Sequence, residues 1–131
     1  MKARILSIAI ALAACQPEPP TGDSAPKEEA NPLVDRAWTQ SDSGELPGVL
    51  RVFLSDGTLL MDSCWETYRL ARWRMESDRN LIWQEDASEI RAEIVSLSPD
   101  ELVLRFQMKG ESREERFRAA RVPYLCPDMP R

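Results

Sequence analysis

From Gly48 to Ala120 the chain is cut by turn signals at short intervals, and apolar residues alternate with polar ones between them. The signals are Ser55-Asp56-Gly57-Thr58, Ser77-Asp78-Arg79-Asn80, Ser98-Pro99-Asp100 and Lys109-Gly110-Glu111. Segments this short do not hold several helical turns, but they suit strands, whose side chains reverse face at every residue. Gly48 to Leu54 enters the Asp56-Gly57 hairpin signal and Leu59 to Met61 returns from it. Tyr68 to Glu76 and Leu81 to Trp83 form the next pair. Ile90, Ala92 and Ile94 then share one face against Arg91 and Glu93, and Leu102, Leu104, Phe106 and Met108 share the next. Ser112 to Ala120 is a last strand so charged that it suits an edge or a solvated face.

Two stretches also fit a helix. Ser63-x-x-Glu66 has the form of a capping box, with Trp65, Tyr68 and Arg72 on one helical face, so Ser63 to Met75 is open between the two. Ile90, Ile94 and Leu97 likewise sit at helical spacing. Closely bracketing turns favour strands for both. The expected fold is all-β: an antiparallel meander of about eight strands, closed into a small barrel or strongly curved as a sheet.

The N-terminus reads as an address. Lys2 and Arg4 precede Ile5 to Ala14, ten uncharged residues, which is too short for a bilayer span of about 20. A basic start, a short apolar middle and small residues make a secretory signal over 1–14. Leu12-Ala13-Ala14-Cys15 resembles the lipobox of bacterial lipoproteins. That resemblance implies cleavage before Cys15, lipid on its sulfur and acylation of the new N-terminus. Several acyl chains at one residue give stable membrane anchoring. Gln16, in place of the aspartate associated with inner-membrane retention, favours the outer membrane facing the periplasm. The segment 15–32 is a Pro-rich tether without a large apolar residue, and it holds five of the ten prolines. Its seventeen residues after Cys15, Gln16 to Pro32, extended at about 3.1 Å each, reach up to about 50 Å.

Residues 33–131 suffice for one domain. Lys2, Arg4 and Lys27 account for three of 17 basic residues and Glu18, Asp23, Glu28 and Glu29 for four of 22 acidic ones, so the domain keeps 14 and 18. That interleaved, acidic balance argues against nucleic acid. The domain resembles the small lipocalin-like domains of bacterial lipoproteins through Trp38, Phe53-x-x-Asp56-Gly57-Thr58, Trp73 after Tyr68, and Leu97-Ser98-x-x-Glu101-Leu102-x-Leu104. The resemblance implies a calycin-type barrel and a ligand. With Cys15 lipidated, Cys64 and Cys126 remain as an even pair in an oxidising compartment and are expected to form a disulfide.

The chain contains no histidine, the commonest general base and metal ligand, and neither a P-loop nor a GxGxxG stretch. Glu85-Asp86 and Glu114-Glu115 are strand neighbours that point to opposite faces, poorly placed for acid–base chemistry and better read as solvated surface. No catalytic residue, metal or cofactor is expected. Trp38, Trp65, Trp73 and Trp83, with Tyr68 and Phe106, are candidates for an apolar pocket or for core packing, core being the commoner use. Arg69, Arg72 and Arg74 beside them suit an anionic ligand or surface pairs with Glu66, Glu76 and Glu85. Trp73, Trp83, Tyr68 and Arg72 are the candidate ligand residues. The function expected is a membrane-anchored, non-enzymatic binding module for a small ligand or an envelope partner. The alternatives are an enzyme inhibitor of the lysozyme-inhibitor type and an assembly accessory.

Overall fold

The computed structural model describes residues 31–42 and 47–128. The expected leader (1–14), the lipidated Cys15 and all but the last two residues of the tether (15–32) lie outside them. Eight strands follow one another: β1 (Ala37–Gln40), β2 (Leu50–Phe53), β3 (Thr58–Asp62), β4 (Arg69–Met75), β5 (Asn80–Glu85), β6 (Ser88–Leu97), β7 (Glu101–Met108) and β8 (Glu111–Ala119). Each pairs antiparallel with the next, and β8 returns to β1 to close a barrel. The described residues contain no helix. Ser63 Oγ does reach Glu66 Oε2, at 3.2 Å, but the capping-box pair sits in a bend that leads into β4.

The spacing of Ile90, Ile94 and Leu97 has a strand explanation. Ile94 faces Leu104 and Ser96 faces Val103, so Val95 is the extra residue of a bulge. The bulge resets the phase, so Leu97, three residues after Ile94, again packs against the core. Of the two readings of the charged strand β8, the solvated face holds and the edge does not: most of its residues are exposed, but it is laddered on both sides, to β7 and to β1. Met108 shares the phase of Leu102, Leu104 and Phe106, but β7 outruns the barrel wall there and leaves it exposed.

Antiparallel alternation gives the barrel two ends. Asn31–Arg36 enters at one, the pole, together with the turns before β3, β5 and β7. The pole is plugged: Leu33 is buried, its carbonyl accepts Trp38 Nε1–H at 3.0 Å, and Asp35 N–H donates to Phe53 O at 2.8 Å. Arg36 donates to the Pro99 carbonyl in the adjacent turn. The opposite end, the mouth, carries the β3–β4 loop Ser63–Tyr68 and the tight turns after β5 and β7.

Trp38, Phe53, Leu59, Leu81, Trp83, Ala92, Ile94, Leu102, Leu104, Phe106 and Phe117 fill the interior from all sides. Phe53 meets Trp73 and Trp83 edge-on at centroid distances of 5.3 and 6.4 Å, and Trp83 meets Phe106 at 5.9 Å, the T-shaped geometry that aromatic quadrupoles favour. Ile82 and Val103 are buried although their phase turns them outward. Ile82 lies in register between Arg74 and Arg91, and Val103 beside Arg116, where arginine stems suit the cover of an outward apolar side chain.

Past β8 the chain runs back from pole to mouth as a strap. Thr39 of β1 and Tyr124 and Leu125 of the strap line one shared depression. Burial holds the Tyr124 hydroxyl above its ordinary pKa, and Asp62 adds to the effect. Cys126 reaches Cys64 in the β3–β4 loop at disulfide-bonding distance, with Cα atoms 5.7 Å apart. Gly48 is needed beside this bridge: its φ is +79°, and a Cβ there would meet Cys64 Sγ at 2.9 Å and Pro127 Cδ at 3.1 Å.

With the cysteines 62 positions apart, closing the loop stabilises the domain by about 4 kcal/mol in the chain-entropy view. A Cys64→Ala/Cys126→Ala double variant should therefore lose most of that amount in urea unfolding followed by circular dichroism. A loss below about 1 kcal/mol would show that the bridge constrains little of the unfolded chain.

Candidate functional site

The β3–β4 and β5–β6 hairpins both point at the mouth, and between them the wall parts. β4 has seven residues and β5 six, yet they pair only at Trp73↔Trp83, Arg74↔Ile82 and Met75↔Leu81. Toward the mouth β4 remains paired to β3 as far as Met61↔Arg69, and β5 to β6 as far as Glu85↔Ser88. The result is a seam, closed at the pole and unzipped above the two tryptophans.

Two depressions follow it. The lower, a cleft of about 390 Å³, is lined by Arg72, Trp73, Arg74, Ile82, Trp83, Gln84 and Glu89. The upper, about 200 Å³, lies among Met61, Arg69, Leu70, Gln84, Glu85 and Asp86. The lower cleft falls within the usual range of small-ligand pockets. Trp73, Trp83 and Arg72 all line this cleft, although Trp83 is only 2% exposed and belongs to the core. Tyr68 is not: it belongs to the β3–β4 loop at the rim, 59% exposed, because β4 begins one residue later. Trp65 (47% exposed) shares that rim, while Trp38 is core.

The side chains of the seam are partly committed. Trp73 Nε1–H donates to Leu54 O at 3.0 Å, and Trp83 Nε1–H to Glu85 Oε1 at 2.7 Å. Arg72 donates to Thr58 Oγ1 and Asp56 O at 3.3 and 3.1 Å, tying it to the hairpin turn. In that turn Asp56 accepts the Thr58 N–H at 2.8 Å, and this backbone hydrogen bond holds its carboxyl below the ordinary aspartate pKa. Arg69 is 4.0 Å from Glu85 across the gap, a loose exposed pair of small worth. Of the pairings expected for the β4 arginines this alone forms; Glu76 takes Arg91 instead, at 2.6 Å. Arg74 makes no ion pair or side-chain hydrogen bond among the described residues.

Behind the seam lies a charged interior that sequence reading missed. Arg51 sits over Phe106, Phe117 and Trp83, its guanidinium carbon 4.9, 5.4 and 5.6 Å from the ring centroids. Its Nη2 reaches Glu115 Oε2 at 3.2 Å, and Arg113 takes the other oxygen at 3.1 Å. Only 13% of the Arg51 side chain and 10% of Glu115 are exposed. Burial holds the Arg51 pKa below its ordinary value, opposed by the charges of Glu115 and Glu85. Glu115 therefore corrects the expectation of a solvated pair: Glu114 turns outward to Arg105 at 2.7 Å, whereas Glu115 turns in. The signal was present in the period of two, since Arg51 precedes the inward Phe53 by two residues and Glu115 precedes the inward Phe117 by two.

No family model matches this chain, and comparison with curated proteins and with solved structures finds no match either.

Breaking a buried pair costs about 3–5 kcal/mol because one charge is left without compensation. Here the two halves are unequal. Glu115→Leu strands Arg51 in the barrel and should cost that amount, whereas Arg51→Met leaves Glu115 with Arg113 and should cost less. The double variant should recover toward the parent. Equal losses for the two single variants in urea unfolding would refute this asymmetry.

Proposed function

We propose that this chain is a lipid-anchored, non-enzymatic binding module of the bacterial cell envelope, with the β4–β5 seam as its recognition site. Kinship with the lipocalin-like lipoproteins is part of the reading, supported by the barrel's strand number and order and by the lipobox-like stretch ending at Cys15. The observation that carries the site is the end of the β4–β5 ladder at Trp73↔Trp83, with Arg74 uncommitted beside it. The barrel interior is filled by its own side chains, so a ligand meets the seam rather than a deep calyx.

Such a seam suits a ligand with a flat or extended apolar part and an anionic group: the half-buried Trp73 ring for the first, arginine for the second. The non-enzymatic reading rests on the absence of histidine and on the commitment of the interior carboxylate Glu115 to two arginines. The entering chain Asn31–Arg36 lies at the pole, so a tether attached there leaves the mouth and seam on the far side of the barrel.

Two measurements test the proposal. Replacing Cys15 by serine should move the protein from the membrane pellet to the soluble fraction of lysed cells, since anchoring requires acylation at that sulfur. For the site, 8-anilinonaphthalene-1-sulfonate, an aromatic anion, should bind the full chain, and Trp73→Ala should weaken it about tenfold, roughly 1.4 kcal/mol. Retention of Cys15→Ser in the pellet defeats the anchor, and unchanged dye binding by Trp73→Ala defeats the site.

A further inference from the structure

We propose that the mouth rim is a second recognition surface, which docks a partner protein presenting apolar side chains among lysines or arginines. It stands apart from the Trp73 cleft lower in the seam. Its apolar part is exposed and held in place. Trp65, Tyr68, Leu70 and Leu125 are 47%, 59%, 60% and 81% exposed. Trp65 and Leu125 each adjoin a bridged cysteine, and Tyr68 and Leu70 lie where the same loop runs into β4. Ser63 is buried and its Oγ donates to Glu66 at 3.2 Å, while Asp62 accepts the N–H groups of Ser63 and Cys64 at 2.7 and 3.2 Å. A tryptophan on a loop fixed in this way loses little further freedom when covered, and such rings anchor protein interfaces.

Charge selects the occupant. Along the barrel flank Glu76, Glu89, Glu93, Glu101 and Glu114 each have an arginine within 4.0 Å. At the mouth Asp62, Glu66, Asp86, Glu111 and Asp128 form no ion pair among the described residues, and Glu85 has only Arg69, 4.0 Å away. Lys109 is the other cation of the rim, and beneath it Arg51 and Arg113 share Glu115. Seven negative charges thus meet four positive ones at this end. The pole is nearly balanced, with Asp35, Asp56, Asp78 and Asp100 against Arg36, Arg79 and Arg121. The acidic surplus of the domain is therefore gathered around its exposed rings. Apolar contact alone would accept any greasy surface; carboxylates open to solvent favour a basic one and speed its approach. Asn31–Arg36 enters at the opposite end of the barrel, which leaves the rim facing away from the point of attachment.

The test uses the disulfide-bonded full chain, ¹⁵N-labelled and in a non-ionic detergent, with three capped hexapeptides. One alternates leucine with arginine, one glycine with arginine, and one leucine with glutamate. The leucine–arginine peptide should shift the Trp65 indole and Leu70 amide signals and bind at least tenfold more tightly than either of the others. Trp65→Ala, and separately the pair Glu66→Gln with Asp86→Asn, should each weaken it about tenfold, roughly 1.4 kcal/mol. No binding, or binding untouched by these variants, would overturn the inference. Equal binding of the glycine–arginine peptide or of spermine would reduce the rim to a trap for bare cations, and equal binding of the leucine–glutamate peptide would remove the role of charge; either overturns it. Broadening of the free chain's Trp65 signal by a doxyl-labelled lipid in the micelle would give the rim to a lipid surface instead. A concentration-dependent dimer that the peptide does not dissociate would give it to a second copy of this chain and equally overturn the basic-partner assignment.

Discussion

The pairing of β1 with β8 is the contact on which the rest of the molecule depends. An eight-strand meander left open has two bare edges and one greasy face in water; closure removes both together. The task falls to a strand of only four residues, through Trp38↔Ala119, Thr39↔Arg118 and Gln40↔Phe117. So short a ladder is reinforced from both ends. Ala120 N–H donates to Ala37 O and Ser41 N–H to Arg116 O, each at 2.8 Å, and Trp38 is held from inside by the Leu33 carbonyl. The plug at the pole thus serves the closure as well as the core.

Unequal strands then shape the barrel. β6, β7 and β8 run to ten, eight and nine residues, whereas β1 and β2 have four each, so the wall is tall on one side and low on the other. The strap and its bridge to Cys64 back the low side. Low walls also explain the interior arginine. Arg51 is close enough to the mouth to reach Glu115, yet deep enough to lie on three aromatic rings. A planar guanidinium, weakly hydrated, tolerates that sandwich where an ammonium would need more water.

Most of this architecture was legible in the sequence because strand alternation and turn chemistry are local. Asp56-Gly57 and Ser98-Pro99-Asp100 act where their residue types demand, and Phe53 and Leu104 point inward as their phase requires. Local rules failed at three kinds of place. The bulge at Val95 gave Ile90, Ile94 and Leu97 a helical look that only pairing resolves. The charge of β8 fits an edge as well as a solvated face and does not tell them apart, although phase already aims Glu115 and Arg51 inward. The seam was invisible, since where a ladder stops depends on the neighbours' other partners. That is also why Trp73, Trp83 and Arg72 line one cleft while Tyr68 stands apart from it: the three lie within or beside the paired stretch, and Tyr68 precedes it.

The seam itself has a mechanical origin in the two hairpins that flank it. β5 is laddered to β6 over all six of its residues, down to a two-residue turn whose Asp86 takes a φ of +51°. β4 is drawn the other way, to β3, over Arg69 to Arg72. Each strand meets its hairpin partner at low loop-closure cost, and sheet twist rotates neighbouring pairs apart. The stretch between these two hairpins, one closed by a two-residue turn and one by the loop Ser63–Tyr68, is therefore where this small closed barrel opens. Glu85 stands at that opening and faces both ways, accepting from Trp83 inside and lying 4.0 Å from Arg69 across the gap. It also adds to the field that keeps Arg51 charged. Because Glu85 is held by the Trp83 N–H and faces the Arg51 charge, its position at the opening does not depend on the loose Arg69 pair.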